Sequence, residues 1–261
     1  MRRHAGRIRL LPVVLRLASH APRNRADAWE QYWRTVPAGE VLWDGSPKAE
    51  GAQYEELVRR HLDPGLPVLD VGCGNGTWTR WLAERFPEAV GIDQSASAVE
   101  QAAREASGVP NAAFGVLDAL DDGAGGALRE RVGEANVFVR GVFHVLRPGA
   151  RRTLAANLRE AVGSRGRVLL TETNFRGSGL AYLEHLGATA RHIPGPLRKA
   201  IETLPQPGHF GPRELRRAFP ASDWTLLEET EVVIGTVPLA EPGVPGVPAE
   251  IPGYCAVLAA R

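Results

Sequence analysis

Three glycines alternate with single residues directly after a short apolar run that contains an acid, where residues 68–77 read VLDVGCGNGT. Because glycine has no Cβ, such a loop can turn sharply and let its backbone approach a bound molecule closely. The helix predicted to begin at Thr77 would present free backbone N–H groups to the same molecule. The pattern therefore predicts a ligand-binding loop between a strand and a helix, with Asp70 near the end of the strand.

A dinucleotide is the first ligand to consider for such a loop. Its fingerprint, G-x-G-x-x-G/A, places the pyrophosphate at the N-terminus of the helix. Counted from Gly72, the last position of that fingerprint falls on Thr77, so the match fails. Glycines at every second position, with Asp70 two residues before the first, form a different pattern.

Further polar residues follow other strand-like runs. Asp93 ends a second apolar run, 23 residues after Asp70. Asp118 follows a third run, and residues 140–144, which read RGVFH, follow a fourth. A carboxylate can accept several hydrogen bonds at once, and a histidine can take up a proton near neutral pH. These residues are candidates for ligand binding and proton transfer.

The elements that must position these residues alternate along the chain. Strand-like runs lie at 67–71, 90–93, 112–117, 136–140 and 166–172, and helical patterns lie at 77–86, at about 96–106 and within 142–162. Such alternation predicts βαβ units and a parallel sheet. Residues 224–237 and 254–259 are β-rich and are joined by a Pro/Gly-rich link at 238–252, which suits an antiparallel end to the sheet.

We predict a single domain at residues 26–261. Its first part, residues 26–62, is predicted to form helices that precede the first strand. Residues 176–212 hold six glycines and five prolines. A stretch this long and irregular inside a compact domain is typical of a lid or a substrate-binding insertion.

Residues 1–25 form a basic arm with seven arginines and no acid. The apolar run at 10–15 is shorter than the core of a signal peptide, which has about 7–15 residues. We predict a poorly ordered extension that becomes a short helix, packing through Leu11, Val14, Leu15 and Ala18.

Residues 68–77 resemble motif I of the class I S-adenosylmethionine (SAM)-dependent methyltransferases, and the resemblance extends over about residues 65–175. It implies a Rossmann-like α/β fold with a seven-stranded, mostly parallel sheet, an antiparallel end, helices on both faces and an N-terminal helical lid. It also implies SAM as the cofactor. The positions that the resemblance assigns to this cofactor are Asp70, Gly72, Gly74, Gly76, Asp93, Gln94, Asp118, Ala119 and Arg140.

The same resemblance implies a role for several of these positions. Asp70 is expected to orient the methionine ammonium, directly or through water. Asp93 would accept both ribose hydroxyls, and Asp118 would contact the adenine amino group. The backbone of residues 140–144 would line the methionine end of the cofactor.

The acceptor side has fewer signals. A general base is needed only if the acceptor must lose a proton, and His144 is the candidate catalytic residue. Glu172 and Asn174 end the fifth strand and are expected to contact the substrate. Tyr32 and Trp33 belong to a Trp/Tyr-rich segment that could cover the site and stack on a ligand. That segment weakly resembles the opening of thiopurine- and thiol-type methyltransferases.

Composition excludes several classes of protein. Apolar residues make up 44% and charged residues 23%, as in ordinary globular chains. Two cysteines, Cys73 and Cys255, form neither a disulfide framework nor a zinc site, and Cys73 is predicted to fill space in the glycine turn. We expect no metal ion, and a reducing, cytoplasmic location is the default. No apolar run approaches the roughly 18 residues of a membrane span.

The net charge of +1 conceals an asymmetry, because acids outnumber bases outside residues 1–25. This balance disfavours a broad nucleic-acid surface. The sequence therefore predicts a SAM-dependent methyltransferase that acts on a small molecule, most simply at an oxygen atom in secondary metabolism, as a monomer or homodimer. Three alternatives stay open. They are a thiol or thiopurine S-methyltransferase, a protein or RNA methyltransferase that uses the basic arm for docking, and a non-catalytic SAM-binding partner protein.

Overall fold

The computed structural model describes residues 2–241 and 243–261, so Met1 of the predicted arm and Pro242 of the predicted link lie outside the described residues. The strands are β1 (Val68–Val71), β2 (Ala89–Asp93), β3 (Ala112–Val116), β4 (Asn136–Arg140), β5 (Val168–Thr173), β6 (Trp224–Glu241) and β7 (Val244–Ala260). They form one seven-stranded sheet in the order β3-β2-β1-β4-β5-β7-β6.

The helices are α1 (Arg2–Ala18), α2 (Arg25–Thr35), α3 (Pro47–Gly51), α4 (Glu55–His61), α5 (Thr77–Ala83), α6 (Ala96–Glu105), α7 (Ala124–Val132), α8 (Pro148–Val162), α9 (Gly179–His185), α10 (Gly195–Thr203) and α11 (Pro212–Ala218). A 3₁₀ turn at Phe143–Val145 separates β4 from α8. None of the described helices is long and apolar enough to cross a membrane.

The pairing of the strands confirms the predicted sheet. β1 pairs in parallel with both β2 and β4, and β2–β3 and β4–β5 are also parallel. β7 is antiparallel to both β5 and β6, which gives the antiparallel end. Because a parallel connection must cross over, helices cover both faces of the sheet.

Alternate residues of each strand point to opposite faces, and the two faces carry separate apolar clusters. Leu69 of β1 packs in a cluster that includes Leu154 and Leu158 of α8. Val68, its neighbour, packs in a second cluster with Trp78 of α5. Burial of a leucine side chain is worth about 1.5–3 kcal/mol, so these clusters fix the sheet between its two helical layers.

A third cluster joins parts of the chain that are distant in sequence. It contains Leu10 of α1, Leu183 of α9, Leu197 of α10, and Ile234 and Ile251 from β6 and β7. We refer to α1, α9 and α10 together as the roof, because they lie above one edge of the sheet.

The basic arm differs from its prediction. It forms α1, a helix of 17 residues. Leu10 and Val14 are buried, whereas Leu11 and Leu15 are exposed. Residues four apart share one face of a helix, so Leu10 and Val14 form the contact face. The predicted packing of Val14 is confirmed, and that of Leu11 and Leu15 is wrong.

Two segments predicted to be irregular contain more regular structure than expected. Residues 176–212 contain α9 and α10 and lead into α11. The predicted link at 238–252 belongs to a long hairpin, in which Ile234 pairs with Ile251 and Pro238 with Pro248. Prolines are tolerated there because this part of β7 pairs only with β6, while β5 pairs with residues 253–258.

Candidate active site

A cavity of about 310 Å³ runs along the carboxyl edge of the sheet. At one end it is lined by the residues that follow β1, β2 and β3, and we call this the glycine-loop end. At the other end it is lined by residues that follow β4 and β5, by Ile234 and Ile251 of the hairpin, and by the roof helices α9 and α10; we call this the roof end. The carboxyl edge of a parallel sheet is the usual binding edge in such folds.

The glycine loop adopts a conformation that suits glycine. Gly72 and Gly74 have φ values of +75° and +54°, in the left-handed region. A Cβ on Gly72 would lie 2.5 Å from Cγ2 of Val142, and a Cβ on Gly74 would lie 2.5 Å from Cζ2 of Trp33. The loop is therefore held closely between the turn after β4 and α2.

Asp93 is buried at the end of β2 beside this loop. Its Oδ2 accepts from the Gly74 N–H at 3.1 Å, and its Oδ1 accepts from the Ser95 N–H at 2.9 Å. Burial raises the pKa of Asp93 to about 6, although these two N–H donors favour the charged form. Each carboxylate oxygen keeps a free lone pair, so Asp93 can accept further hydrogen bonds from a ligand.

Asp70 is buried in the same region, where its Oδ2 accepts from the Thr79 hydroxyl at 2.6 Å. Burial raises the pKa of Asp70 to about 7, and the nearby Asp93 adds to the rise. A small side cavity of about 30 Å³ beside the loop is lined by Asp70, Asp44 and Asn75, and also by Arg140. Because Glu50 neutralises Arg140, the two aspartates make this an acidic recess that fits a small cationic group of a ligand.

The far wall of the glycine-loop end is formed by Gln94, Asp118 and Ala119. Oε1 of Gln94 is buried and has no hydrogen-bond partner among the described residues. Asp118 accepts from the Leu120 N–H through Oδ1 and pairs with Arg25 at 2.6 Å through Oδ2. The Arg25 partner, from the N-terminal arm, was not predicted as a site residue.

Arg140 ends β4 on the cavity wall, but its charge is already neutralised. Its Nε donates to Oε1 of Glu50 at 2.6 Å, and its Nη2 donates to Oε2 of Glu50 and to the Trp43 carbonyl. Burial alone would lower the pKa of Arg140, and Glu50 more than offsets this, so the net shift is upward. The guanidinium is therefore paired with Glu50, which neutralises its charge.

His144 lines the cavity in the 3₁₀ turn after β4. Its Nδ1 lies 2.7 Å from Oε2 of Glu172, which is fully buried on β5. Glu172 also accepts backbone N–H bonds from Val142 at 2.9 Å, Phe143 at 2.7 Å and His144 at 3.0 Å. Because an ionised carboxylate only accepts, this network assigns the imidazole proton to Nδ1 and leaves Nε2 free to take up a proton.

Three predicted substrate residues do not line the cavity. Both oxygens of Glu172 accept hydrogen bonds from the 3₁₀ turn and the residue before it, so it holds His144. Asn174 is buried, and its Oδ1 has no hydrogen-bond partner among the described residues. Tyr32 is buried, accepts from the Leu42 N–H at 3.3 Å and stacks on Trp43. Trp33, by contrast, lines the cavity as predicted.

Cys73 and Cys255 are both buried and unpaired. Burial raises the pKa of Cys255 to about 12 and that of Cys73 well above its usual range, so both thiols stay protonated. Among residues 2–241 and 243–261, no group of three or more His, Cys, Asp or Glu side chains is placed to hold a metal ion.

Sequence reasoning missed the apolar lining of the roof end. These residues are Leu183, Leu197, Ile201, Leu204, Ile234 and Ile251. They come from two helices and a hairpin. Four of them fall within the predicted insertion at 176–212, which named no individual residue, and apolar spacing along α10 could have indicated part of the set.

Comparison with known proteins points to one family. A family model described as a methyltransferase domain matches residues 68–166. The structure of a SAM-dependent methyltransferase from Anabaena variabilis is 30% identical, with a TM-score of 0.80, over 92% of this chain and 97% of that one. A second structure, from work on the conversion of a disulfide bond into a thioacetal group during echinomycin biosynthesis, is 25% identical, with a TM-score of 0.65, over 90% and 91% of the two chains.

A curated relative, trans-aconitate 2-methyltransferase from Acidovorax ebreus, is 31% identical over 124 residues. The match covers 44% of this chain and 42% of the relative, so it spans less than half of either protein.

Proposed function

The chain belongs to the class I SAM-dependent methyltransferases, and from that membership we propose that it transfers the methyl group of SAM to a hydroxyl oxygen of a small molecule. The observation that carries this proposal is the Glu172–His144 pair. It supports a proton-accepting Nε2 on the wall of the same cavity that the glycine loop borders.

The residues of the glycine-loop end fit the cofactor. Asp93 keeps free lone pairs for two neighbouring hydroxyls, which suits a ribose. The unpartnered Oε1 of Gln94 can accept a further donor, and Asp118 stands on the same wall. The acidic recess at Asp70 and Asp44 suits an ammonium group. When bound, SAM supplies a methyl group on a positively charged sulfur, so the donor needs no further activation.

Aromatic rings support a cationic cofactor at this site. Trp29, Trp33 and Trp43 all line the cavity. The face of an indole ring is electron-rich and attracts a cation by about 0.5–2 kcal/mol. The nearby Arg140 does not oppose this attraction strongly, because Glu50 neutralises it.

His144 acts as the general base in this proposal. The hydroxyl proton of the acceptor would pass to Nε2 of His144 as the acceptor oxygen bonds to the methyl group, the sulfur–methyl bond of SAM breaks and neutral SAH is left. Glu172 is a positioning residue: it fixes the tautomer and stabilises the imidazolium that results. General-base catalysis of this kind is worth about 10²–10⁴ in rate.

A thiol acceptor is a second candidate. The relative linked to conversion of a disulfide into a thioacetal shares 25% identity over most of both chains, which favours sulfur chemistry. A thiol has an ordinary pKa of about 8.5 and depends less on a base than a hydroxyl does. The partial match to trans-aconitate 2-methyltransferase carries less weight, because it covers under half of each chain.

The test begins with calorimetric titration of SAM and S-adenosylhomocysteine (SAH), with NAD as the control. We expect binding of the first two in the micromolar range, about −8 kcal/mol, and none of NAD. Methyl-labelled SAM is then offered with matched phenols and thiophenols. Label on the phenols supports the proposal, label on the thiols alone supports the second candidate, and no transfer despite SAH binding would leave a non-catalytic binding protein.

A further inference from the structure

We propose that the acceptor is an uncharged, mainly apolar molecule that binds at the roof end of the cavity and presents one hydroxyl or thiol to His144. This inference rests on the proposed function, since it identifies the acceptor class of the same site. Three observations support the inference. The strand order separates the cofactor end of the cavity from the roof end, the arginines that line the cavity are paired with carboxylates, and the polar side chains at the roof end are uncharged.

The order of the strands divides the cavity. The residues that fit the cofactor follow β1, β2 and β3, which are adjacent at one side of the sheet. The space left for an acceptor lies beyond β4, toward β5, β7 and β6, beneath α9 and α10. His144, after β4, stands between the two ends. An acceptor at the roof end would therefore meet both the base and the cofactor.

The surface of the roof end is apolar. It is formed by Leu183, Leu197, Ile201, Leu204, Ile234 and Ile251. Several of these also belong to the cluster that joins the roof to the hairpin. Each apolar Å² that an acceptor covers here contributes about 25 cal/mol, so a hydrocarbon or aromatic body is favoured.

Among the residues that the structure describes, both arginines that line the cavity are already paired with carboxylates. The two arginines among its described lining residues are Arg25 and Arg140. Arg25 pairs with Asp118 at 2.6 Å, and Arg140 pairs with Glu50 at 2.6 Å. A carboxylate acceptor would be buried without an unpaired counter-ion from the protein, which costs several kcal/mol; the positive sulfur of bound SAM would offset part of that cost, whereas SAH carries no such charge. If His144 became protonated, Glu172 would already neutralise it.

The polar groups of the roof end are neutral. Thr173, Tyr182 and Gln206 contribute to its lining. Burial raises the pKa of Tyr182 to about 12, so its hydroxyl stays protonated at neutral pH. A few neutral donors and acceptors in an apolar surface can orient an acceptor without demanding a charge.

The first experiment compares 2-naphthol with 2-naphthoate, which share a ring system and differ in charge at pH 7.5. Each is titrated calorimetrically into the full chain, with and without saturating SAH. We expect 2-naphthol to bind at least ten times more tightly than 2-naphthoate. Equal or tighter binding of 2-naphthoate overturns the proposal.

A second experiment locates the probe. Ala200 lines the cavity from α10, whereas Arg198 is exposed on the same helix, with an ion-pair contact of 4.0 Å to Glu202. Ala200→Trp should weaken 2-naphthol binding at least tenfold. The matched control, Arg198→Trp, should leave it unchanged. Unaltered 2-naphthol binding in a folded Ala200→Trp protein shows that the probe binds elsewhere and overturns the proposal.

The two proposals fail in different ways. SAH binding together with no preference for 2-naphthol refutes the acceptor class and leaves the methyltransferase function intact. Preferential 2-naphthol binding that Ala200→Trp abolishes, in a protein that does not bind SAH, refutes the proposed function and retains the apolar site. If Ala200→Trp does not fold, as judged by its thermal transition, the comparison of the two probes on the unaltered chain still decides the charge preference.

Discussion

The two ends of the cavity are built in opposite ways. At the glycine-loop end, Asp93 is satisfied by backbone N–H groups of Gly74 and Ser95, which follow directly after β1 and β2. At the roof end, Leu197 and Ile251 are more than 50 residues apart in the sequence and belong to one cluster of packed side chains. One end thus depends on backbone geometry and buried charge, and the other on apolar volume.

This difference separates specificity for the cofactor from specificity for the acceptor. A backbone loop with left-handed glycines tolerates few changes, because a Cβ at Gly72 or Gly74 would overlap a neighbouring side chain. An apolar wall tolerates substitutions that conserve volume, usually for less than about 1.5 kcal/mol. We therefore expect changes at the two ends to have separable effects, and four predictions test this expectation.

The largest effect is expected at the boundary between the two ends. His144→Ala should lower kcat for the accepted phenol by about 10²–10⁴, because the general base is lost, with SAH affinity unchanged. Glu172→Gln should lower kcat less and shift its pH profile, because the imidazole loses its carboxylate partner. Steady-state kinetics across pH measures both effects. If kcat of His144→Ala equals that of the unaltered protein at every pH, His144 is not the general base.

A smaller effect is expected within the glycine-loop end. Asp93→Asn should weaken SAH binding by about 1–3 kcal/mol, since charge-assisted hydrogen bonds to a ligand are lost. Asp118→Asn is the control, and it should have less effect because Arg25 already engages Asp118. Calorimetry with SAH and with 2-naphthol distinguishes the ends. If Asp93→Asn weakens 2-naphthol binding as much as it weakens SAH binding, the two ends of the cavity are coupled and the expectation of separable effects is wrong.

The binding of SAH should depend on pH through Asp93. The pKa of Asp93 in the free protein, about 6, lies above the ordinary value, so the protonated form is favoured when the protein folds. Protonated Asp93 therefore contributes to the free energy of unfolding at low pH, and this contribution is lost as the pH rises through about 6. Ribose hydroxyls donate to the ionised form, so SAH binding should release a proton.

The expected result is an affinity for SAH about tenfold higher at pH 7 than at pH 5, because the ionised fraction of Asp93 rises by that factor. Calorimetry in buffers of different ionisation enthalpy measures the released proton. Asp93→Asn should remove most of the dependence, and Asp70, with a pKa of about 7, should supply what remains. A flat profile in the unaltered chain would contradict the assignment.

The smallest effect is expected for the ion pair between the arm and Asp118. Both side chains are about a third exposed, 31% for Arg25 and 27% for Asp118, and such pairs contribute about 0–1 kcal/mol. Arg25→Ala should therefore change the free energy of unfolding by less than about 1 kcal/mol. Denaturant titration measures this, with the exposed Arg23→Ala as control. A loss above about 2 kcal/mol would mean that the arm holds the cavity closed.

The glycine-loop end could be predicted from sequence because its determinants are local. The alternating glycines, Asp70 and Asp93 lie at the ends of short apolar strands, and the structure places Gly72 and Asp93 on the cavity wall. Strand β4 was predicted to the residue, at 136–140. The positions of these glycines and aspartates follow from the strands that precede them and do not depend on which distant segment of the chain packs above them.

The roof end could not be predicted in the same way. Leu11 and Leu15 are as apolar as Leu10 and Val14, and only contact with α9 and α10 selects which face of α1 is buried. The prolines at 238–252 suggested a loose link, because strand pairing on one side alone cannot be recognised in a single sequence. An aromatic ring such as that of Tyr32 can bind a ligand or pack in a core, and the sequence does not distinguish the two. In the structure the Tyr32 hydroxyl accepts a hydrogen bond from the Leu42 N–H.

The four hydrogen bonds that Glu172 accepts have a consequence for the entropy of acceptor binding. They hold three consecutive N–H groups and the His144 ring in one arrangement while the protein is free of ligand. Fixing a residue costs about 1–2 kcal/mol of conformational free energy, and here that ordering accompanies folding of the chain. The turn and the His144 ring are therefore already ordered before an acceptor binds. Binding of the acceptor does not have to supply the free energy for ordering them, so its affinity is not reduced by that cost.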